Sequence, residues 1–424
     1  MKKRDYLKEV EKGFTLEEAM KEASRCLMCA NPVCSKNCPA GTDPGAFIKA
    51  MRTKSIEDAV KIVRENNILA AVCSRVCPFE DLCEGSCIRS RIDTPIKIGK
   101  LQRFVTDYES TENLQILKKP EGTLEKIAII GSGPAALSVG TALALKNYRV
   151  TIFESRPKAG GIMTYGIAPF RLPQEIVDSE IEIIKNLGVE FRTSTHVGRD
   201  VSIGGLRREG YKAFVLAMGR PFSKDATVKG VDLAGVVNAL EYLYSARSTD
   251  GKFEAGRNVA IIGGGNTAMD CANTAKILGA ENVYVLYRRR KEDMPASNSE
   301  IEYAERMGIE WMFETQISEI LGRNGDVTAL KCVSKEEGEF TLPIDTVVFA
   351  IGQDSQNINA IAKVALDDNN QIIIKPGSFL TSADDIFAAG DSVNGGKTVV
   401  QAIAEGKACA ESIDSYLTEK REQA

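Results

Sequence analysis

The chain has 424 residues, enough for about three domains at roughly 150 residues each. Its 43 % hydrophobic and 26 % charged residues are ordinary for a soluble globular protein, and a net charge of −4 gives no reason to expect nucleic acid or a membrane surface as partner. No uninterrupted apolar run approaches the roughly 20 residues of a membrane span, and the basic start MKKRDYLKEVEKGF lacks the apolar core of a secretory signal, so a cytoplasmic location is expected.

Residues 1–110 read as short helices between cysteine loops. Leu16 to Ala23 and Ile56 to Arg64 have helical periodicity, and no strand-like alternation occurs. Eight of the eleven cysteines lie here, in two runs. The first is Cys26-x2-Cys29-x4-Cys34-x3-Cys38-Pro39, and the second is Cys73-x3-Cys77-Pro78-x4-Cys83-x3-Cys87. In a reducing compartment, clustered thiols more readily hold metal than form disulfides. The one histidine, His196, is far away in sequence, so any metal here is held almost purely by sulfur. The first run is the bacterial ferredoxin pattern with a longer middle loop, in which the cysteine before proline serves a neighbouring cluster. Structural zinc prefers two CxxC pairs, and only one exists, which favours iron–sulfur. A zinc-stabilised docking domain and a reactive dithiol at Cys26 and Cys29 stand as alternatives.

Residues 110–124 read as a linker, after which the texture becomes α/β. KIAIIGSGPAALSVGTALALKNYRVTIFES reads as strand, glycine turn, helix, strand. Its turn is Gly131-Ser132-Gly133-Pro134-Ala135-Ala136, and Glu154 follows 23 residues after Gly131. Glycines admit a pyrophosphate to the helix N-terminus, and the acid suits a ribose hydroxyl, as in FAD or NAD sites. A second such unit carries Gly263-Gly264-Gly265-Asn266-Thr267-Ala268, and its second strand ends in Tyr287-Arg288-Arg289-Arg290. Arginines there suit a 2′-phosphate, so NADPH is favoured and NADH is the alternative.

Short strands ending in glycine, VLAMGR (215–220) and VVFAIGQ (347–353), suit crossing points between two domains. The expected fold is α/β: an N-terminal all-α iron–sulfur domain, then two Rossmann-like domains, with the NAD(P) domain inserted into the FAD domain. The expected boundaries are 1–119, then 120–222 with 353–424 for FAD, and 223–352 for NAD(P)H. Residues 159–173 suit a flavin-covering loop, and they contain no redox cysteine pair. Cys271, Cys332 and Cys409 read as small buried residues. The tail after Tyr416 reads as a frayed, solvated end.

The order of eight cysteines, FAD unit and inserted NAD(P) unit resembles the flavoprotein half of dihydropyrimidine dehydrogenase. It is most similar to the flavoprotein subunit of the bacterial two-subunit enzyme, within the glutamate synthase small-subunit family. EASRCLMC, TDPGAFI, RENNILAAVCSRVCP and IGKLQRFVTDYE carry the likeness, which spans nearly the whole chain. The resemblance implies one [4Fe-4S] cluster on Cys26, Cys29, Cys34 and Cys87. It implies a second on Cys38, Cys77, Cys83 and Gln102, with Cys73 left out. It implies FAD contacts at the Gly131–Ala136 turn, Glu154, Gly161, Ile162, Arg171, Val197, Asp391 and Thr398. For NAD(P)H it implies Gly265, Asn266, Thr267, Arg288, Arg289 and Gly352, alongside Gly263 of the motif. One departure is Pro295, where the mammalian enzyme has a further phosphate-binding arginine. The resemblance further implies an electron-input subunit with no catalytic side chain of its own. It would pass electrons from NAD(P)H through FAD and the clusters to an FMN-containing catalytic partner in a hetero-oligomer that reduces uracil or thymine. A glutamate synthase small subunit, or another NADPH:acceptor module, is the runner-up.

Overall fold

The structure is a computed structural model that describes residues 5–224, 226–355 and 358–423. The chain forms two compact units. One comprises Met1–Val10, Tyr165–Pro173 and Pro221–Asp354, and the other Glu11–Thr164, Gln174–Arg220 and Ser355–Ala424.

The larger unit begins with six α-helices: Leu16–Ser24, Val33–Lys36, Pro44–Arg52, Ile56–Asn66, Ala70–Val76 and Ile98–Thr111. Local chemistry starts them. Thr15 accepts from the Glu18 amide at 3.3 Å while the Glu18 carboxylate takes the Thr15 amide at 2.8 Å, a capping box. Asp43 accepts from the Ala46 amide at 3.0 Å, and Pro44 opens the helix that follows. Their apolar faces meet in a small core of Phe47, Ile48, Met51, Val60, Val63, Leu101 and Val105, which Cys83 joins.

The same unit holds a five-stranded sheet in the order Ile386–Ala388, Tyr211–Leu216, Lys126–Ile130, Arg149–Phe153 and Glu190–Arg192, parallel throughout. The cysteine segment falls in the same compact unit as this sheet. A buried ion triad supplies one reason. Arg64 lies 2.7 Å from Glu109 and 2.5 Å from Glu180, and all three side chains are at most 5 % exposed. Glu180 also accepts the Ala71 amide at 2.6 Å, which ties the Gln174–Asn186 helix to the cysteine-bearing helix Ala70–Val76.

The smaller unit has its own five-stranded parallel sheet, ordered Val236–Asn238, Thr346–Phe349, Asn258–Ile262, Asn282–Leu286 and Glu310–Met312. An antiparallel meander, Thr315–Arg323, Asp326–Ser334 and Gly338–Pro343, lies beside it in sequence. Where the insertion enters and leaves, Phe222–Ser223 pairs antiparallel with Gln353–Asp354. Tyr6 packs edge-on to Phe170 at 6.1 Å, and Val10 donates to the Phe170 carbonyl. Both contacts lie within this unit.

This is the α/β fold class expected from the sequence: an all-α start, then one parallel-sheet fold inserted in another. Cys271, Cys332 and Cys409 are buried, as expected. The tail corrects the sequence reading. The last helix runs Val399–Glu422 rather than stopping at Tyr416, because Leu417 is buried, Lys420 lies over the Tyr416 ring and Arg421 pairs with Glu125 at 2.7 Å. Among the described residues no helix is long and apolar enough to cross a membrane.

Candidate functional site

Several of the eight N-terminal thiols sit at or near the ends of short helices. Cys26 follows the Leu16–Ser24 helix, Cys34 lies in the Val33–Lys36 turn, and Cys77 terminates Ala70–Val76. Cys87 opens a 3-10 turn. The fold brings these ends together in a crossed pattern. Cys26 is within electrostatic reach of Cys29 and Cys87, and Cys34 of Cys87 and Cys26. Cys77 is close to Cys73, Cys83 and Cys38. Cys34 also senses Cys83, so the two groups adjoin.

Burial pushes the Cys26, Cys34 and Cys83 thiols up from their ordinary pKa, with charge repulsion from neighbouring thiols adding to it. Cys77 is raised by its hydrogen bond with Cys73, then by burial. Holding such thiols as thiolates calls for a strong local cation, which an iron centre supplies. One zinc ion needs its sulfurs about 2.3 Å from a single point. Among the described residues no group of three or more His, Cys, Asp or Glu side chains is arranged to hold a single metal ion. Gln102 is buried, and its Nε2 donates to the Ala70 carbonyl at 2.8 Å. Its Oε1 accepts no hydrogen bond among the described residues.

The first glycine turn lies at the carboxyl edge of its sheet. Ile130 pairs with Phe153, so Gly131 and Glu154 leave neighbouring strands side by side. Gly131 has φ +98°, and a Cβ there would lie 2.5 Å from the Ala217 carbonyl oxygen. Gly133 faces open space at the start of helix Pro134–Leu145, with no side chain capping the amides. That is a cradle for a phosphate. Ser132 Oγ donates to Glu154 at 2.5 Å, and the Arg156 amide donates to the same carboxylate at 2.8 Å. Gly160 donates to Ser132, and Gly161 packs against the Gly133 backbone, with Ile162 opening the next helical turn. Gly390 abuts Ala135, and the next residue, Asp391, accepts from the Lys397 amide at 3.1 Å. Burial raises the Asp391 pKa. Thr398 caps the last helix. The loop 193–197 runs beside Glu154 through the Thr195 amide, and Val197 is buried. Arg171 belongs to the other unit, held by Asp270 and Glu300 at 2.8 Å each.

The second glycine turn opens on a cavity of about 730 Å³. Gly263, Gly265, Thr267, Arg288, Arg289 and Gly352 all line it, together with Pro295. Asn266 sits on the same turn, with its carboxamide oxygen taken by the Ser297 amide at 2.9 Å. Gly263, at φ +145°, makes the close approach seen at Gly131, here to the Ala350 carbonyl. Arg289 lies over the Tyr287 ring at 5.5 Å. Neither Arg288 nor Arg289 has an ion-pair partner among the described residues, so both are available to an anion.

Sequence reasoning missed the Arg64–Glu109–Glu180 triad and the contact of Cys73 with Cys77. Nothing in sequence separates a buried charge on a helix from a solvated one, and the triad joins Arg64 to positions 45 and 116 residues away.

Residues 2–114 match the family described as dihydropyrimidine dehydrogenase domain II, 4Fe-4S cluster, and residues 125–406 match pyridine nucleotide-disulphide oxidoreductase. The chain is 39 % identical over 419 residues to the NAD-dependent dihydropyrimidine dehydrogenase subunit PreT homolog of Salmonella typhi, covering 99 % of each. It is 34 % identical to the glutamate synthase [NADPH] small chain of Escherichia coli K12, covering 96 % of this chain and 93 % of that one. Thioredoxin reductase of T. acidophilum shares the fold alone, at TM-score 0.56 and 20 % identity, over 70 % of this chain and all of that one. Two glycine turns on parallel sheets, a sulfur-rich helical start and full-length identity at this level agree: the chain belongs to the PreT-type family of dihydropyrimidine dehydrogenase flavoprotein subunits, related to glutamate synthase small chains, and is an NAD(P)H-dependent flavin and 4Fe-4S oxidoreductase.

Proposed function

We propose that this chain is the electron-input subunit of a two-subunit enzyme that reduces uracil or thymine to the 5,6-dihydropyrimidine. Its modules would be a cytoplasmic helical domain, 1–119, with two [4Fe-4S] clusters, an FAD domain of 120–222 and 353–424, and an NAD(P)H domain of 223–352. One observation carries the reading: the thiols of both cysteine runs lie in the same compact unit as the Gly131 turn. When bound, FAD exchanges a two-electron hydride from NAD(P)H for single electrons that iron–sulfur clusters accept.

The chain's own residues bind and orient. Cys26, Cys29, Cys34 and Cys87 would hold one cluster, and Cys38, Cys77, Cys83 and Gln102 the other. The turn after Gly131 offers the uncapped amides of the following helix start to the FAD pyrophosphate, and Glu154, already hydrogen-bonded to Ser132, is set for a ribose hydroxyl. The Gly263 cavity takes the nicotinamide cofactor, and no side chain has to move a proton in hydride transfer. The catalytic partner would carry FMN, as the likeness to dihydropyrimidine dehydrogenase implies. Relatives named as a subunit or a small chain support a hetero-oligomer.

The test is anaerobic purification followed by stopped-flow reduction and uracil-dependent turnover with the co-purified partner. Roughly eight irons per chain, in two cubane clusters, are expected. Zinc in place of iron would overturn electron relay, and turnover with glutamate synthesis but not uracil would move the chain to the runner-up.

Two further outcomes are expected. Replacing Arg288 and Arg289 together with alanine removes two charge-assisted contacts worth about 1.5–3 kcal/mol each. KM for NADPH should rise at least about a hundredfold in flavin-reduction assays, with NADH changed about twofold or less. Equal losses for both cofactors would show that the pair does not read a 2′-phosphate. Gln102→Ala should alter the EPR spectrum and potential of one cluster only, and an unchanged spectrum would remove Gln102 from the ligand set.

A further inference from the structure

The last helix, Val399–Glu422, is pinned at two places. Gly406 lies so close to the glycine-turn helix that a Cβ would sit 2.6 Å from the Ala135 carbonyl oxygen, and Ser138 donates to the Ile403 carbonyl at 2.7 Å. The next residue, Lys407, points the other way. Its ammonium donates to the Ala40 carbonyl at 2.9 Å and the Asn66 carbonyl at 3.1 Å. Ala40 follows the Cys38-Pro39 pair, and the turn there closes through the Gly41 amide to the Cys38 carbonyl at 3.0 Å. Asn66 ends its helix, and the next residue, Asn67, contacts the Cys73 thiol. One carbonyl thus lies two residues from Cys38, and the other precedes the residue that contacts Cys73, the hydrogen-bond partner of Cys77. Lys407 is half-buried and within electrostatic reach of Cys38. Among the described residues no carboxylate pairs with it. A surface lysine contributes little, but a half-buried cation without a counter-ion costs desolvation, and a negative centre nearby offsets it.

We propose that Lys407 is a positioning and poising residue for the cluster on Cys38, Cys77, Cys83 and Gln102, a charge that raises the reduction potential of this cluster. The proposal rests on the two-cluster reading above. One-electron reduction adds one negative charge to the cluster. The electron comes from reduced FAD, which had received two from NAD(P)H, and Lys407 keeps all its protons throughout. A fixed cation favours the more negative state, so it raises the reduction potential of the cluster it faces. The helix that carries it begins at Thr398, beside the Asp391 loop. Nine residues at about 1.5 Å each separate Thr398 from Lys407. One rigid element thus spans the FAD-binding edge and the cysteine loops, which sets their spacing.

The test is an EPR-monitored redox titration of the full chain, purified anaerobically, as wild type, Lys407→Gln and Lys407→Arg. Glutamine keeps a donor for the carbonyls and loses the charge, while arginine keeps the charge. The second cluster is identified as the signal that disappears in Cys38→Ser. Its reduced-to-oxidised ratio at a given potential should fall about tenfold in Lys407→Gln, which is 59 mV for one electron. Lys407→Arg should titrate like wild type, and the first cluster, iron content and flavin content should not change. Identical titrations of wild type and Lys407→Gln would overturn the proposal, as would equal movement of both clusters. Iron loss in Lys407→Gln would overturn it too, since that assigns the lysine to folding alone. A wild-type protein without iron–sulfur signals would sink the two-cluster reading itself, which the wild-type trace reports before any variant is compared.

Discussion

Replacing Arg64 with methionine should destabilise the larger unit by about 3–5 kcal/mol, because it leaves two buried carboxylates facing each other without a cation. Arg64, Glu109 and Glu180 are at most 5 % exposed, and Arg64 also donates to the Ile68 carbonyl at 2.6 Å. One partner of the triad is on the helix with Gln102, another holds the Ala71 amide, and Ala70 holds the Gln102 amide. The damage should therefore reach the ligand set, and loosened iron should accompany the lost stability. Denaturant unfolding followed at the cluster absorbance and by far-ultraviolet circular dichroism measures both. Unequal transitions would show that the helical segment unfolds before the sheet.

The pH dependence of that variant has a definite sign. Burial raises the Glu180 pKa above its ordinary value even with Arg64 present. A carboxyl whose folded pKa is raised binds more protons folded than unfolded, so its contribution to stability is present below about pH 4.5 and is lost as pH rises through the folded pKa. Removing Arg64 pushes that pKa further up. The deficit of Arg64→Met against wild type should be larger at pH 8 than at pH 5.5. A deficit that does not grow with pH would mean that Glu180 stays ionised through other contacts.

Cys87→Ser and Cys38→Ser should each abolish one cluster, and not the one that sequence order suggests. With crossed ligation, Cys87→Ser removes the cluster of Cys26, Cys29 and Cys34, while Cys38→Ser removes that of Cys77 and Cys83. Each variant should retain roughly half of the iron, one cubane of two. The two are told apart by combining each with Gln102→Cys, whose altered signal marks the second cluster. That signal should persist in Cys87→Ser and vanish in Cys38→Ser. The opposite assignment would restore two sites in sequence order. Electrostatic proximity favours crossing, since Cys87 faces Cys26 and Cys34 whereas Cys38 faces Cys77 and Cys83.

Much of the site was legible because its signals are local. Glycine at 131 and 263 answers a backbone that comes within about 2.5 Å of a neighbouring carbonyl at the Cβ position, a constraint written directly into residue type. Alternating apolar strands, the insertion of one dinucleotide unit in another, and the arginines after Tyr287 were equally plain, because strand, turn and helix periods differ. The end of the last helix was misjudged, because a Lys- and Glu-rich stretch reads as solvated until Arg421 is seen to meet Glu125.

By itself the sequence determined the residue types that chemistry needs: dense cysteines for sulfur ligation, two GxGxxA turns, and basic side chains after the second. These are set by spacings of a few residues, and short spacings constrain geometry without knowledge of the rest of the chain. Tertiary structure alone decided which ends meet. It gathered Gly263, Arg288 and Gly352 around one cavity, seated Lys407 on the carbonyls beside Cys38, and buried Arg64 between carboxylates from two other helices. Those contacts join residues tens to hundreds of positions apart. Their energy comes from burial and pairing across elements, which no local period encodes.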